Sequence, residues 1–238
     1  MQGILREIVE HKVEEVARAK AQKPLDEIRR LCDAQKPSLS LYEALSDCGS
    51  ARIIAECKRQ SPSRGVMCDP YDPVALASAY QEGGAAAISI LTDERYFGGT
   101  LDHFRAVRAA VDLPLLRKDF IVDSYQIYEA RACGADSFLL IAGVLDLAQI
   151  RAFLSLGREL GMEPLVETHS DEQLDEVLSI DARIIGINNR NLSTFSVSTD
   201  RAKAGITKIQ ERGDAIAVCE SGIRSAEDVR EMQRAGFH

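Results

Sequence analysis

The sequence predicts an α/β protein, a (β/α)8 TIM barrel with a helical extension at its N-terminus. Two observations lead to this prediction. From residue 52 onwards, apolar segments of strand length alternate with amphipathic segments of helix length, and seven such β-α units follow one another. Several strand segments are apolar throughout, which is typical of parallel strands that are covered by helices on one face and by a barrel core on the other.

Residues 1–48 contain no segment with a strand pattern, so we expect them to form a helical extension packed on the main body. Apolar residues recur every three to five positions over residues 4–16, which predicts an amphipathic first helix. A second short helix is expected after Pro24, and the capping-box pattern that begins at Ser40 predicts a third. We expect the extension and the barrel, residues 49–238, to form one domain.

The barrel segment alternates strands and helices, and glycines follow several of the helices. A doubly wound open sheet is the competing architecture, but it would require a glycine-rich phosphate fingerprint after an early strand, and the sequence contains none. The predicted strands cover residues 52–58, 85–92, 113–118, 137–142, 163–168, 183–188 and 215–220. The predicted helices cover residues 73–82, 101–111, 124–133, 145–160, 171–178, 199–211 and 225–234.

The pattern ends where an eighth β-α unit should begin. Only residues 235–238 follow the last predicted helix. Seven strands do not satisfy the geometry of an eight-stranded barrel, and the first and seventh strands would be left with unpaired edges. We therefore expect a barrel that is truncated before its eighth unit.

Composition and charge exclude several classes of partner. The formal net charge of −8 and the pI near 5.1 argue against nucleic acid or an anionic membrane surface as the main partner. We find no signal-peptide pattern and no apolar run of about 18 residues, so we expect a cytoplasmic protein. The six cysteines and four histidines show no metal-ligand spacing, so we expect no metal, no cofactor and no disulfide framework.

Charged and amide residues occur at the ends of five predicted strands, and a β/α barrel places its active site at the carboxyl ends of its strands. In the first strand, side-chain alternation places Glu56 and Lys58 on the same side, about 6.6 Å apart along the axis. Five such ends indicate one site rather than five solvated termini. The other candidates are Lys118 on the third strand, Glu167 on the fifth, Asn188 and Arg190 on the sixth, and Glu220, Ser221 and Gly222 on the seventh.

Each candidate also has a structural interpretation. Glu56 and Lys58 could form a salt bridge at a strand end, Lys118 could pair with Asp119, and Asn188 could hold a turn. Against this, the loop after the first strand is rich in hydroxyls and cations, and a Ser-Gly step before a helix presents backbone N–H groups to a phosphate. Taken together, the residues predict acid-base chemistry on a small phosphorylated, carboxylated molecule.

Six segments in combination resemble the indole-3-glycerol-phosphate synthase family of tryptophan biosynthesis, and the resemblance extends over essentially the whole chain. The segments are Ile-Ile-Ala-Glu-Cys-Lys-Arg-Gln-Ser-Pro-Ser, Ile-Leu-Thr-Asp-Glu-Arg-Tyr-Phe-Gly-Gly, Leu-Leu-Arg-Lys-Asp-Phe-Ile-Val-Asp, Leu-Val-Glu-Thr-His, Ile-Gly-Ile-Asn-Asn-Arg-Asn-Leu and Glu-Ser-Gly-Ile. The resemblance implies a carboxy-lyase that closes the ring of 1-(2-carboxyphenylamino)-1-deoxyribulose 5-phosphate with loss of carbon dioxide and water.

The resemblance also implies roles for individual residues. Lys118 matches the general acid that protonates the substrate ketone, and we expect other cations in the cleft to tune its pKa towards proton donation. Glu167 matches the base of the dehydration step. Lys58 matches the cation that meets the substrate carboxylate, and Glu56 would orient it. Asn188 and Ser221 match positions that fix polar groups of the substrate. Arg190 matches an anion clamp, and Ser61 with Gly222 matches part of a phosphate cradle. Glu220 is a further substrate-binding candidate.

Two other interpretations remain open at this point. Lys58 or Lys118 could form an imine with a keto-phosphate, which would make the protein a Schiff-base lyase. The chain could also be a catalytically inactive fragment, since the family holds the phosphate with loops after strands seven and eight. For the synthase itself we expect a monomer or a fusion with another tryptophan-pathway enzyme.

Overall fold

A computed structural model describes residues 3–46, 51–190 and 196–238. Within these ranges, the chain begins with α1 (Ile4–Gln22), α2 (Leu25–Asp33) and α3 (Leu41–Leu45), so the helices predicted before the first strand are observed. The hydroxyl of Ser40 accepts a hydrogen bond from the backbone N–H of Glu43 at 3.1 Å and begins α3. The predicted domain boundary at residues 48 and 49, and Cys48 itself, lie outside the described residues.

Seven parallel strands form the main sheet of the described residues, and their order across the sheet is their order along the chain. This topology confirms the predicted α/β fold of the TIM-barrel type. Two further short strands pair with each other as an antiparallel hairpin outside the main sheet. The strands are β1 (Ile54–Cys57), β2 (Gln60–Ser61), β3 (Gly65–Val66), β4 (Ala87–Leu91), β5 (Leu115–Lys118), β6 (Ser137–Ile141), β7 (Leu165–Thr168), β8 (Ile184–Asn188) and β9 (Ile216–Glu220).

Helices follow the strands of the main sheet, as predicted. They are α4 (Pro73–Glu82), α5 (Glu94–Phe97), α6 (Leu101–Ala110), α7 (Ser124–Ala132), α8 (Leu147–Glu159), α9 (Asp171–Leu178), α10 (Asp200–Arg212) and α11 (Ala226–Ala235). The short helix α5 was not predicted. It forms because Asp93 accepts a hydrogen bond from the N–H of Tyr96 at 2.8 Å, and it ends at Gly98, whose φ of 66° lies in the left-handed region.

Two apolar layers hold the strands in place. Alternate strand residues such as Ile88, Phe138 and Ile185 face outwards and pack under the helices. The strand residues on the other face form an inner core, which the buried Leu41 and Leu45 of α3 enter beside the amino ends of the strands. Helix α3 of the extension therefore closes the barrel at the end opposite to the predicted site.

The outer edges of β1 and β9 have no strand neighbour within the described residues. The N–H of His238 donates to the carbonyl of Ala217 at 3.4 Å, and the N–H of Arg52 donates to the carbonyl of His238 at 3.2 Å. His238 thus lies between the amino ends of the two edge strands. Beyond it, a cavity of about 330 Å³ separates the edges.

Gly99 makes the closest backbone approach among the glycines of the described chain, and we predict that Gly99→Ala is strongly destabilising. An added Cβ would lie 1.9 Å from the carbonyl oxygen of Leu91 at the end of β4. We expect a loss of about 3 kcal/mol, since a backbone clash cannot be relieved by a side-chain rotation. Thermal unfolding should show a midpoint about 6–12 °C lower.

Gly83→Ala is the matched control for this prediction. Gly83 ends α4 with helical backbone angles, and the nearest atom to its added Cβ is a carbonyl oxygen at 3.2 Å. We expect its midpoint to stay within about 3 °C of the parent. Equal midpoints for both variants and the parent would show that Gly99 does not approach β4 this closely.

Candidate active site

A cavity of about 350 Å³ opens at the carboxyl ends of the strands. Eight of the ten predicted site residues line it, which brings together side chains from four strands of the main sheet and from their loops. Glu220 and Ser221 instead line the neighbouring cavity between β1 and β9. The two cavities share Glu56, Lys118 and Gly222, so they form adjoining parts of one site. The residues of the main cavity are Glu56, Lys58, Ser61, Lys118, Glu167, Asn188, Arg190 and Gly222.

Lys118 lies at the centre of the site between two carboxylates. Its Nζ is 3.3 Å from Oε2 of Glu167 and 2.5 Å from Oε2 of Glu220. Burial alone would lower the pKa of Lys118, but the charges of Glu220 and Glu167 outweigh it and raise the pKa above its usual value. The expectation that neighbouring cations tune this lysine was wrong, because its nearest charged neighbours are carboxylates. Lys118 is therefore an ammonium ion in the resting site.

Glu167 is held in its ionised form. Nδ2 of Asn188 donates to Oε1 of Glu167 at 3.0 Å, and Nε2 of His169 lies 2.6 Å from the same oxygen. Burial alone would raise the pKa of Glu167, but Lys118 and His169 outweigh it and place the pKa well below its usual range. A carboxylate without a proton is the form that a general base requires.

Glu220 has the opposite tendency. Burial and the nearby charge of Glu167 raise the pKa of Glu220 to about 8, although Lys118 partly opposes them. Oε1 of Glu220 is buried and has no hydrogen-bond partner among the described residues. A proton on Glu220 would satisfy this oxygen and allow a hydrogen bond to Glu167, which also contributes to the raised pKa. Near neutral pH the two carboxyl groups thus differ in protonation.

Glu56 and Lys58 form a hydrogen-bonded ion pair at the end of β1. Their side chains are 32% and 28% exposed, so water reaches both partners. Solvated pairs of this kind are worth only about 0–1 kcal/mol, so Lys58 can exchange Glu56 for an incoming anion at little cost. The pair is thus both a structural salt bridge and a candidate anion contact.

An apolar wall lies beside the charged groups of the cavity. Leu139 and Ile141 come from β6, which lies between β5 and β7, and Ile4 and Ile8 come from α1. The rings of Phe97 and Phe120, which also line the cavity, have centroids 6.0 Å apart. A flat apolar group fits against such a wall, so the cavity offers both apolar and charged contacts.

The loop after β9 contains two residues in the left-handed region, Ser221 with φ of 66° and Gly222 with φ of 90°. Nδ2 of Asn189 donates to the carbonyl of Ser221 at 3.2 Å and holds this turn against the end of β8. The N–H of Arg190 donates to Oδ1 of Asn188 at 3.0 Å, so Asn188 connects Glu167 to the backbone of the next loop. Asn191 and Leu192, which contribute to the family resemblance, lie outside the described residues.

Ser61 lies in β2, the first strand of the hairpin that follows β1. The side chains of Ser61, Pro62 and Arg64 line the main cavity, so the hairpin forms part of its rim. This hairpin has only two residues in each strand, which is too short for a periodic pattern to predict.

Two residues of this region, His169 and Lys12, were not predicted, although the sequence contains a signal for each. His169 stands two positions after Glu167, and side-chain alternation places such residues on the same side. Lys12 stands between Ile8 and Val16 at helical spacing, which is the position of a buried stripe rather than of a solvated face.

The described residues contain no group of three or more histidine, cysteine, aspartate or glutamate side chains that could hold a metal ion. None of the described helices is long and apolar enough to cross a membrane.

Residues 5–238 match the family model described as indole-3-glycerol phosphate synthase. The indole-3-glycerol phosphate synthase of Laribacter hongkongensis is 46% identical over 241 residues, which cover 100% of this chain and 91% of that protein. The enzyme of the same name from Chromobacterium violaceum is 45% identical over 241 residues, which cover 100% of this chain and 90% of that protein.

A solved structure with a similar fold is described as the N-acetylmannosamine-6-phosphate 2-epimerase from Clostridium perfringens. It matches with a TM-score of 0.63 at 12% identity and covers 84% of this chain and 87% of that one. At this identity the likeness concerns the fold alone.

We predict that Glu220→Gln changes how stability depends on pH. The pKa of Glu220 is about 8 in the folded protein and lies near the usual glutamate value when the chain is unfolded. The folded state therefore binds more protons, and this contribution to stability, complete below the unfolded pKa, is lost as pH rises to about 8. The glutamine cannot ionise, so the variant should gain stability relative to the parent between about pH 5 and 8.

Thermal unfolding from pH 5 to pH 9 measures this difference. We expect the gap between the two midpoints to widen by about 8–16 °C, which corresponds to about 4 kcal/mol over the three pH units from pH 5 to pH 8, and to level off above about pH 8. Glu231→Gln is the control, since Glu231 is an exposed partner of Lys203. A constant difference between Glu220→Gln and the parent at all pH values would contradict the raised pKa.

Proposed function

The chain belongs to the indole-3-glycerol phosphate synthase family, and on this premise we propose that the site described above closes the indole ring. The substrate is 1-(2-carboxyphenylamino)-1-deoxyribulose 5-phosphate, and the products are indole-3-glycerol phosphate, carbon dioxide and water. The observation that supports this proposal best is the position of Lys118, an ammonium ion between the carboxyl groups of Glu167 and Glu220 in a cavity lined by apolar and charged side chains.

In our proposal the aromatic ring of the substrate lies against the apolar wall, and its carboxylate displaces Glu56 from Lys58. The ketone oxygen then faces Lys118. As the ring carbon that bears the carboxylate attacks the ketone carbon, Lys118 donates a proton to the ketone oxygen, which becomes a hydroxyl group. The position of Lys118 at the bottom of a largely buried cleft strengthens this proton transfer, since water does not compete for the oxygen.

Carbon dioxide leaves next, and the electron pair of the broken bond returns to the ring system. Lys58 keeps the carboxylate oriented until the bond breaks, and Glu56 retains the lysine in position. For the dehydration we propose that Glu167 takes a proton from the substrate and passes it to the hydroxyl group, which then leaves as water. Its contacts with Asn188 and His169 keep it ionised and aimed into the cavity.

We assign the polar and anionic contacts of the sugar phosphate to the remaining residues. Arg190 and Ser61 line the main cavity, and Ser221 with Gly222 forms the turn beside it. Backbone N–H groups before a helix are favourable partners for a phosphate, and α11 begins four residues after Gly222. We assign to Glu220 a hydrogen bond that it accepts from a hydroxyl group of the substrate.

The Schiff-base lyase is less well supported. An imine requires a neutral amine as the nucleophile. Lys118 is held as an ammonium ion by Glu220 and Glu167, and no observation favours imine formation over proton donation. The synthase therefore remains the proposal that accounts for both carboxylates.

We further propose that the enzyme acts in the cytoplasm, as a monomer, on this small anionic substrate. The relatives named above carry the name of one activity only, which supports a single-function enzyme. The net charge of −8 favours neither nucleic acid nor an anionic membrane as a partner. Size-exclusion chromatography with light scattering separates a monomer from an assembly.

We predict that Lys118→Met nearly abolishes indole formation. Methionine keeps the length and much of the volume of the side chain but cannot donate a proton, so kcat should fall by about 10²–10⁴-fold. The rise in indole absorbance and fluorescence measures the rate. Lys203→Met is the control, because Lys203 is an exposed lysine that pairs with Glu231 far from the cavity. A kcat within tenfold of the parent would exclude Lys118 as the general acid.

We predict that Glu167→Gln separates the early steps from the dehydration. The amide can still accept the hydrogen bond of Asn188 but cannot take a proton. The variant should therefore still close the ring and release carbon dioxide, although it no longer forms indole. A single-turnover experiment with substrate labelled at the carboxylate measures released carbon dioxide and indole together. Parallel loss of both products would assign Glu167 to an earlier step, and full indole formation would remove it from the mechanism.

A further inference from the structure

Lys12 of α1 is fully buried and lies among three carboxylates. Its Nζ is 2.9 Å from Oδ1 of Asp119, 3.0 Å from Oδ2 of Asp93 and 2.9 Å from Oε1 of Glu15. The side chains of Lys12, Asp93 and Asp119 are all 0% exposed. An ammonium ion without water is costly unless its partners are close and well placed, so this arrangement needs an explanation beyond stability.

Two of the three partners of Lys12, Asp93 and Asp119, lie at the ends of neighbouring strands. Asp93 follows β4 and caps α5, and Asp119 is the residue directly after Lys118 at the end of β5. The side chain of Thr92 also donates to Asp119 at 2.6 Å, and Arg117 donates to it at 3.0 Å. The residues on both sides of Lys118 are thus fixed in one buried network that Lys12 completes.

The charges of the network support one another. Burial alone would lower the pKa of Lys12, but Asp119, Asp93 and Glu15 outweigh it and raise the pKa above its usual value. Burial would raise the pKa of Asp119, but Lys12 and Arg117 outweigh it and lower the pKa. Arg117 also pairs with Glu129 of α7 at 2.8 Å, which connects the network to the outer helices.

The same helix also lines the main cavity. Ile4, Leu5 and Ile8 in the first turns of α1 are part of its apolar wall, and Lys12 follows Ile8 by one turn. One ammonium ion therefore joins the apolar wall to the strand that presents Lys118.

We propose that Lys12 is a positioning residue of the synthase reaction: its ammonium group fixes the ends of β4 and β5 so that Lys118 meets Glu167 and Glu220. This inference rests on the proposed function. Lys12 itself touches no substrate and acts through Asp119. Displacement of a catalytic group by about 1 Å can reduce a rate about 10²-fold. The ion pairs of Lys12 therefore have a large effect on the rate although Lys12 contributes no reacting atom.

The first test is Lys12→Met, which keeps the length of the side chain and removes its charge. We expect kcat to fall by about 10–100-fold at a temperature where the variant is fully folded. Lys20→Met is the matched control, because Lys20 also joins α1 to the barrel, through Asp123 at 2.7 Å, but 46% of its side chain is exposed. The control should retain kcat within twofold, and an equal loss in both variants would overturn the proposal.

A double variant separates positioning from stability. Lys12→Met leaves the carboxylate of Asp93 buried without its ammonium partner, and adding Asp93→Asn removes that charge while the amide oxygen can still cap α5. We expect the double variant to regain most of the lost thermal stability while its kcat stays at least tenfold low. Recovery of kcat together with stability would reduce Lys12 to a structural role.

A crystal structure of Lys12→Met tests the geometry without any measurement of activity. We expect the distance between Nζ of Lys118 and the carboxyl oxygens of Glu167 or Glu220 to exceed 4 Å in the variant. Unchanged ion pairs in that structure would overturn the inference even if kcat fell. Failure of the parent protein to form indole would instead overturn the proposed function. The crystal structure would still show whether Lys12 positions Lys118.

Discussion

The attraction between Lys118 and the carboxylates of Glu167 and Glu220 is the constraint on which this architecture depends. The lysine is on β5 and Glu220 is on β9, four strands away along the sheet. In a flat sheet, four strand spacings would separate these positions by about 19 Å, which is beyond the reach of two side chains. The contact at 2.5 Å therefore requires a sheet that curls until its two halves face each other.

The backbone next to this contact is adapted to it. Glu167 on β7 is in register with Gly186 on β8, and an added Cβ at Gly186 would lie 2.1 Å from Oε1 of Glu220. The glycine thus leaves the space through which Glu220 reaches the centre of the barrel. Two residues further along β8, Asn188 is in register with Glu220 and donates to Glu167. Strand β8, which lies between Glu167 and Glu220, therefore leaves space at Gly186 and supplies a hydrogen-bond donor at Asn188.

The parts of this structure that follow from periodicity could be predicted from the sequence. Alternation along one strand placed Glu56 beside Lys58, and the barrel pattern placed the ends of five strands at one opening. The sign of the field at Lys118 could not be predicted in this way, because it depends on Glu220 across the barrel and not on neighbours in the chain. The hairpin of β2 and β3 and the helix α5 were missed because elements of two to four residues have no measurable period.

The cavity also explains how an acidic protein can attract an anion. The chain as a whole has a net charge of −8, yet cationic side chains line the main cavity at two depths. Arg64 and Arg224 are exposed at the rim, where salt screens them beyond about 8 Å, so they act mainly on the first encounter. Lys58 and Lys118 lie deeper, where the low-dielectric walls concentrate their field on a bound molecule. Because each inner lysine is already paired with a carboxylate, a neutral ligand would gain nothing by separating them, whereas an anion can replace Glu56 at Lys58. The ion pair of Lys58 and Glu56 therefore favours a ligand that carries negative charge.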